Sequence, residues 1–150
     1  MFRLTAIAAL MLSFGVIAAH AQKTAAYKIT DVIILPFDEQ TGQFQSEITK
    51  NSDRSFFNDL AISMLVKVEV SGTAGSFEVG RKLEIIVMEG KKVKKKRFDQ
   101  IGLIGDAGKY YVPIWLDGAM CSEITISAKI FVGAKAGAAV IRKVPFQCGE

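Results

Sequence analysis

The chain has 150 residues, half of them apolar, with 19 Lys and Arg against 15 Asp and Glu and a formal net charge of +4. That is one domain's length, too apolar for a disordered chain and too evenly composed for a collagen-like or low-complexity scaffold. A domain of this size buries roughly two-thirds of its unfolded surface, so its core needs no metal to form.

Residues 1–21 read as a cleaved signal peptide. Met1-Phe2-Arg3 gives a short positive start, Leu4 to Ala18 an uncharged apolar stretch, and Ala19-His20-Ala21 a small-x-small cleavage site. Gly15 interrupts the apolar stretch and no basic cluster follows it, which favours a removed leader over a retained membrane anchor. No cysteine stands at the cleavage point to carry a lipid. Residues 22–150 are then expected to form one periplasmic or secreted domain with no further spanning segment. They contain no histidine, because the chain's single one is His20.

Along the rest of the chain the dominant period is two. Strand candidates come in order at Ile29–Leu35, Gly42–Ile48, Ile62–Val70, Leu83–Val87, Val93–Phe98, Tyr110–Leu116, Ile124–Ile130 and Val140–Phe146. The cleanest places Ile62, Met64, Val66, Val68 and Val70 on one face, with Ser63, Lys67 and Glu69 on the other. Gly-rich turns separate the candidates, at Asp38–Gly42, Ser71–Gly75, Glu89-Gly90, Gly105–Gly108, Asp117-Gly118 and Gly133–Gly137. Only Asp53–Leu60 suggests a helical turn. Short strands, frequent turns and no long amphipathic helix point to an all-β antiparallel sandwich of about seven to nine strands.

Within that pattern Asp106-Ala107-Gly108-Lys109-Tyr110-Tyr111-Val112 resembles the Asp-x-Gly-x-Tyr-x-Cys stretch of immunoglobulin-like domains, in which a tyrosine corner opens a core strand. Asp106, Gly108 and Tyr110 match, and Val112 stands where the cysteine would be. Trp115 follows the motif instead of lying on an earlier strand, and two more strand candidates follow where the family has one. The resemblance implies an immunoglobulin-like sandwich and carries no catalytic or ligand residue.

Outside the cytosol thiols tend to be oxidised, so Cys121 and Cys148 are expected to form one bridge. It would close a loop of 28 residues, worth about 3.5 kcal/mol by chain entropy. A bridge across adjacent antiparallel strands centres their hairpin within Gly133–Gly137. That register sets Ile124 opposite Pro145, whereas a one-residue shift aligns Ile124 with Phe146, so a bulge or bend is expected near Pro145.

Catalytic chemistry is hard to find. Without histidine in residues 22–150 there is no Ser-His-Asp or Cys-His mechanism, and with two bridged cysteines nearly every kind of zinc site is excluded. Gly75–Lys82 has the spacing of a P-loop but ends in Arg81-Lys82 and reads as a turn entering a strand. Asp31, Asp38, Glu39 and Asp53 are the carboxylates a hydrolase would need, with no spacing that marks a pair. Neither a cofactor nor a metal is expected.

The unusual feature is Lys91, Lys92, Lys94, Lys95, Lys96 and Arg97, six cations in seven positions. From Arg81 to Arg97 there are eight cations against Glu84 and Glu89, so the charge is polarised along the chain. In a regular strand Lys92, Lys94 and Lys96 would project to one side, with Lys91, Lys95 and Arg97 beside Val93 on the other. Charge on both faces means an edge strand, where lysines either guard against sheet-to-sheet pairing or form a patch for a polyanion. The run Tyr110–Leu116 reads as core on one face with tyrosines at its rim, and Pro113 as a bulge or an edge position where a partner strand could add. The reading is a non-catalytic exported binding or assembly module of the cell envelope, working through an exposed sheet edge and the basic arm. Its partner would be an unknown envelope protein or an anionic envelope component, and not nucleic acid. The alternatives are a carboxylate-based secreted hydrolase and a polyanion-binding protein for anionic lipid or glycan.

Overall fold

Alternation of apolar and polar residues builds every long strand, because only one face of each meets the core. In the computed structural model, which describes residues 26–49, 56–57, 62–118 and 120–147, the strands are β1 (Lys28–Asp38), β2 (Gln43–Phe44), β3 (Phe56–Phe57), β4 (Ile62–Ser71), β5 (Arg81–Glu89), β6 (Lys92–Gln100), β7 (Lys109–Leu116), β8 (Ile124–Val132), β9 (Lys135–Ala136), β10 (Val140–Val144) and β11 (Phe146–Gln147). No helix occurs among the described residues. The fold is all-β, as the period-two pattern requires.

Two antiparallel sheets stack face to face. The first runs β2-β1-β4-β7 and the second β10-β8-β5-β6, with β9 also paired to β8. Val66 and Val68 of β4 meet Leu83, Ile85 and Val87 of β5 and Ile124, Ile126 and Ala128 of β8 in one core, each at most 1% exposed. Loop residues Ile101, Ile104 and Met120 are fully buried in the same core. The loop after β4 also presses close to it: a Cβ at Gly72 would lie 2.7 Å from the Tyr27 ring and 3.1 Å from Ile104, so glycine alone fits this approach.

Three sequence expectations change. Gly42–Ile48 is a regular strand only at Gln43–Phe44, though its chain runs on along β1, with Gln45 N–H donating to Pro36 O and Ile48 N–H to Ile34 O. The helical turn expected at Asp53–Leu60 lies mostly outside the described residues, and where they cover it, Phe56–Phe57 is a strand, parallel to β11. The hairpin register differs as well: Ile124 pairs with Val144, Ile126 with Arg142 and Ala128 with Val140.

The reason for that register lies at the turn. Val132 pairs with Lys135 around a two-residue turn whose Gly133 has φ +59°, so pairing begins inside the expected Gly133–Gly137 loop. Gly137 N–H still bonds Ile130 O, and one extra residue is then taken up before Val140. At the other end the expected bend is present: β10 stops at Val144, and after Pro145 the chain leaves β8 to pair with β3. The register also turns Arg142 inward, where it is 6% exposed and its Nη2 donates to Ile48 O at 2.5 Å.

Candidate functional site

The six cations sit on β6 and the turn before it, and among the described residues β6 pairs with β5 alone. The basic arm is therefore an edge strand. Its faces are not those of a regular strand, because the register slips at Lys94: Val93 pairs with Met88, while Lys95 pairs with Val87 and Arg97 with Ile85. Paired residues share a face, so the bulge puts Val93, Lys96 and Phe98 on the outer face and turns Lys95, Arg97 and Asp99 toward the sandwich's open side.

Those inward charges fasten β6 to the first sheet. Arg97 bonds Asp99 and donates through Nη1 to Pro113 O on β7, and Lys95 lies 3.4 Å from Asp117. Lys94 pairs with Glu89 at 3.2 Å and Lys96 with Glu84 at 2.6 Å. Burial opposes ionisation of Glu89, but the hydrogen bond from the Cys121 N–H and the nearby Lys94 and Lys92 carry its pKa below the usual range. Four of the six cations thus hold internal acids. The two pairs exposed on both sides, Lys95–Asp117 and Arg97–Asp99, are of the kind worth about 0–1 kcal/mol and exchange readily for an external anion. Among the described residues no ion pair reaches Lys91 or Lys92.

The edge strand opens onto a wider basic surface. Across the outer face of the second sheet stand Lys82, Lys96, Lys129 and Lys143, with Glu84 and Glu123 as their acids. Glu123 is held below the usual carboxylate range by a hydrogen bond from Lys143. Between these lysines Phe98 and Phe131 meet edge to face at 5.5 Å, and Lys82 Nζ lies 5.3 Å from the Phe98 ring centre. Only Lys96 of this group belongs to the basic run. The others are single lysines on separate strands, brought together by the β6-β5-β8-β10 order, which no local spacing announces.

The outer face of the first sheet is different. Glu69, 8% exposed, accepts from Thr30 at 2.7 Å, Lys109 at 2.9 Å and Tyr111 at 2.9 Å. The Lys109 and Thr30 bonds hold its carboxyl below the usual range against the opposing effect of burial, with a further contribution from Tyr111. Farther along, Phe37, Phe44 and Trp115 form an edge-to-face cluster with centroids 5.1–6.2 Å apart. The Tyr110–Leu116 run divides as expected: Val112, Ile114 and Leu116 are core, while Tyr111, Pro113 and Trp115 face outward. Tyr110, from the Asp-x-Gly-x-Tyr stretch, opens edge strand β7 with its ring against Gly102.

Free sheet edges carry their own obstacles. On β7 Pro113 has no N–H and its carbonyl is taken by Arg97. The Val32 N–H of β1 is capped by Asp31 Oδ1 at 2.8 Å. β6 is lined with lysines, and β10 is five residues long and ends before Pro145.

The described carboxylates named for a hydrolase are each engaged by other groups. Asp38 accepts from the N–H groups of Gln40 and Thr41, which lower its pKa, Glu39 accepts from Ser63 and Asp31 caps Val32; Asp53 lies outside the described residues. Gly75–Lys82 is a turn entering β5, its N–H groups at Gly75, Ser76, Gly80 and Arg81 bonded within the chain. No cluster of three His, Cys, Asp or Glu with metal-binding geometry occurs among the described residues. A cavity of about 220 Å³ lies between β1, β8 and β10, lined by apolar groups such as Ile29, Ile130 and Val140. Cys121 lies just before β8, its N–H on Glu89; Cys148 is outside the described residues.

Compared with known proteins, the chain matches no family model and no curated protein sequence.

Proposed function

We propose that the protein is a non-catalytic, exported binding module whose contact surface is the second sheet, its outer face together with the arm Lys91–Arg97, and whose ligand is anionic. One observation carries this reading: four lysines from four strands share that outer face, while on the first sheet Lys28, Lys67 and Lys109 are matched by Asp31, Glu69 and Glu39, which accepts from Ser63 on that face. Such a one-sided field draws an anionic partner to one face. The obstacles on the edges of the two large sheets, among the described residues, favour binding by a face over strand addition.

An immunoglobulin-like sandwich fits the strand order. Lettering the long strands by the family's scheme gives A-B-E for β1-β4-β7 and G-F-C-C′ for β10-β8-β5-β6. In that scheme the Asp106–Tyr110 stretch opens strand E, so the support comes from topology and not from a tyrosine corner. Export rests on the three-part start of residues 1–21, and the Cys121–Cys148 bridge on their sequence positions, Cys121 three residues before β8 and Cys148 four residues after its neighbour β10. Intact mass after alkylation without reductant checks the bridge: no added alkyl group is expected, and two would contradict it.

The functional test is binding to heparin and to phosphatidylglycerol vesicles over a salt series. The wild type is compared with a variant in which Lys91, Lys92, Lys94, Lys95 and Lys96 are all changed to Gln. Binding to at least one ligand should weaken steeply with salt and more than tenfold in the variant. No binding, or binding indifferent to salt and to the variant, would contradict an anionic ligand.

A further inference from the structure

We infer that the outer face of the second sheet docks flat on an anionic lipid bilayer, with Phe98 seated among the lipids and lysines around it on the headgroup phosphates. This rests on the reading of that face as the anionic contact surface and adds what the anion is.

Charge alone is too weak on this face to explain it as a site for a soluble polyanion. Lys82, Lys96, Lys129 and Lys143 are opposed by Glu84 and Glu123, which already hold Lys96 and Lys143. The net excess is two cations, each worth about fivefold in affinity near an anionic membrane surface. Exposed apolar groups are interspersed with the lysines: Phe98, 47% exposed, and Val93, 61%, on edge strand β6, and Ile141, 61%, on edge strand β10. A sulfated or phosphorylated chain in solution offers these side chains no apolar partner. A bilayer surface offers both at once, phosphates for the ammonium groups and the acyl boundary for the ring.

The bulge at Lys94 is what joins the two components. In an unbroken strand Val93 would share a face with Lys95 and Arg97; the slip puts Val93 beside Lys96 and Phe98 and sends Lys95 and Arg97 to the seam with β7. Lys82, with its ammonium over the Phe98 ring 5.3 Å from its centre, places a cation against the ring, near enough to reach the phosphate level when the ring enters the interface. The first sheet's outer face has an aromatic cluster too, but its charges balance and nothing draws it to an anionic surface.

The test is co-sedimentation of the full chain with vesicles of equal parts phosphatidylglycerol and phosphatidylcholine, and with phosphatidylcholine alone. All forms carry the same apolar residues 4 to 18, so differences between variants report the sandwich. Expected are tighter binding to the anionic vesicles and a ten- to thirtyfold loss in Lys82→Gln/Lys129→Gln, with Phe98→Ser removing the part of the binding that survives high salt. Lys67→Gln, on the opposite face, should bind as wild type. Thermal melts confirm folding, and the exposed pair Lys96→Gln/Lys143→Gln serves if the first pair does not fold. Anionic vesicles bound no better than neutral ones, or bound equally by all the variants, would overturn the inference. Heparin binding without vesicle binding, unaffected by Phe98→Ser, would overturn it too and leave the broader reading standing. Binding to neither would end both.

Discussion

The outer faces of the two sheets are built from the same alternation yet use charge in opposite ways. On the first, a nearly buried carboxylate gathers three donors and becomes part of the structure. On the second, lysines stand around exposed apolar groups in pairs that water already weakens. Charge buried with its partners reports on stability, whereas charge left at the surface with spare donors is available for binding.

The largest effect expected from breaking this comparison is on the first sheet. Glu69→Ala leaves Thr30, Lys109 and Tyr111 without their shared acceptor and should cost about 2–3 kcal/mol by urea denaturation. The pH dependence has a definite sign. The folded carboxyl titrates below its unfolded value, so its contribution is complete above the unfolded pKa, about 4.3, and is lost as pH falls through the folded one. The stability gap between wild type and Glu69→Gln should therefore shrink in acid; a gap that widens there would contradict the assignment.

Trp115→Ala should come next. It removes a half-buried ring from the cluster with Phe37 and Phe44, costing about 1–2 kcal/mol in a thermal melt, with vesicle affinity unchanged. Loss of vesicle binding in this variant would shift the contact to the wrong face. The smallest stability effect belongs to Lys143→Gln, with an unfolding transition that overlays the wild type's, because its partner Glu123 is well exposed. That change should be seen in anionic vesicle binding and barely in unfolding.

Much of the fold was legible because one face of each strand is buried: the alternation in Ile62–Val70 and Ile124–Ile130 marks β4 and β8 and their core sides correctly. What the sequence concealed were insertions of a single residue. The residue taken up between Gly137 and Val140 moves Val144 opposite Ile124 and turns Arg142 into the interior. The slip at Lys94 changes the face of Val93. Neither Lys94 nor the Gly137–Ala139 stretch carries a residue that demands a bulge. The site was legible only in part, for a related reason: the six-cation run identifies β6, but Lys82, Lys129 and Lys143 come together through strand order, which is set by crossovers between sheets and leaves no local period.

Acetylation footprinting of lysines, with and without phosphatidylglycerol vesicles, tests the central claim in one measurement. Lys82 and Lys129 should become protected on binding while Lys67 and Lys28 react as in solution. Protection of Lys67 with Lys82 and Lys129 unchanged, or equal protection everywhere, would contradict it.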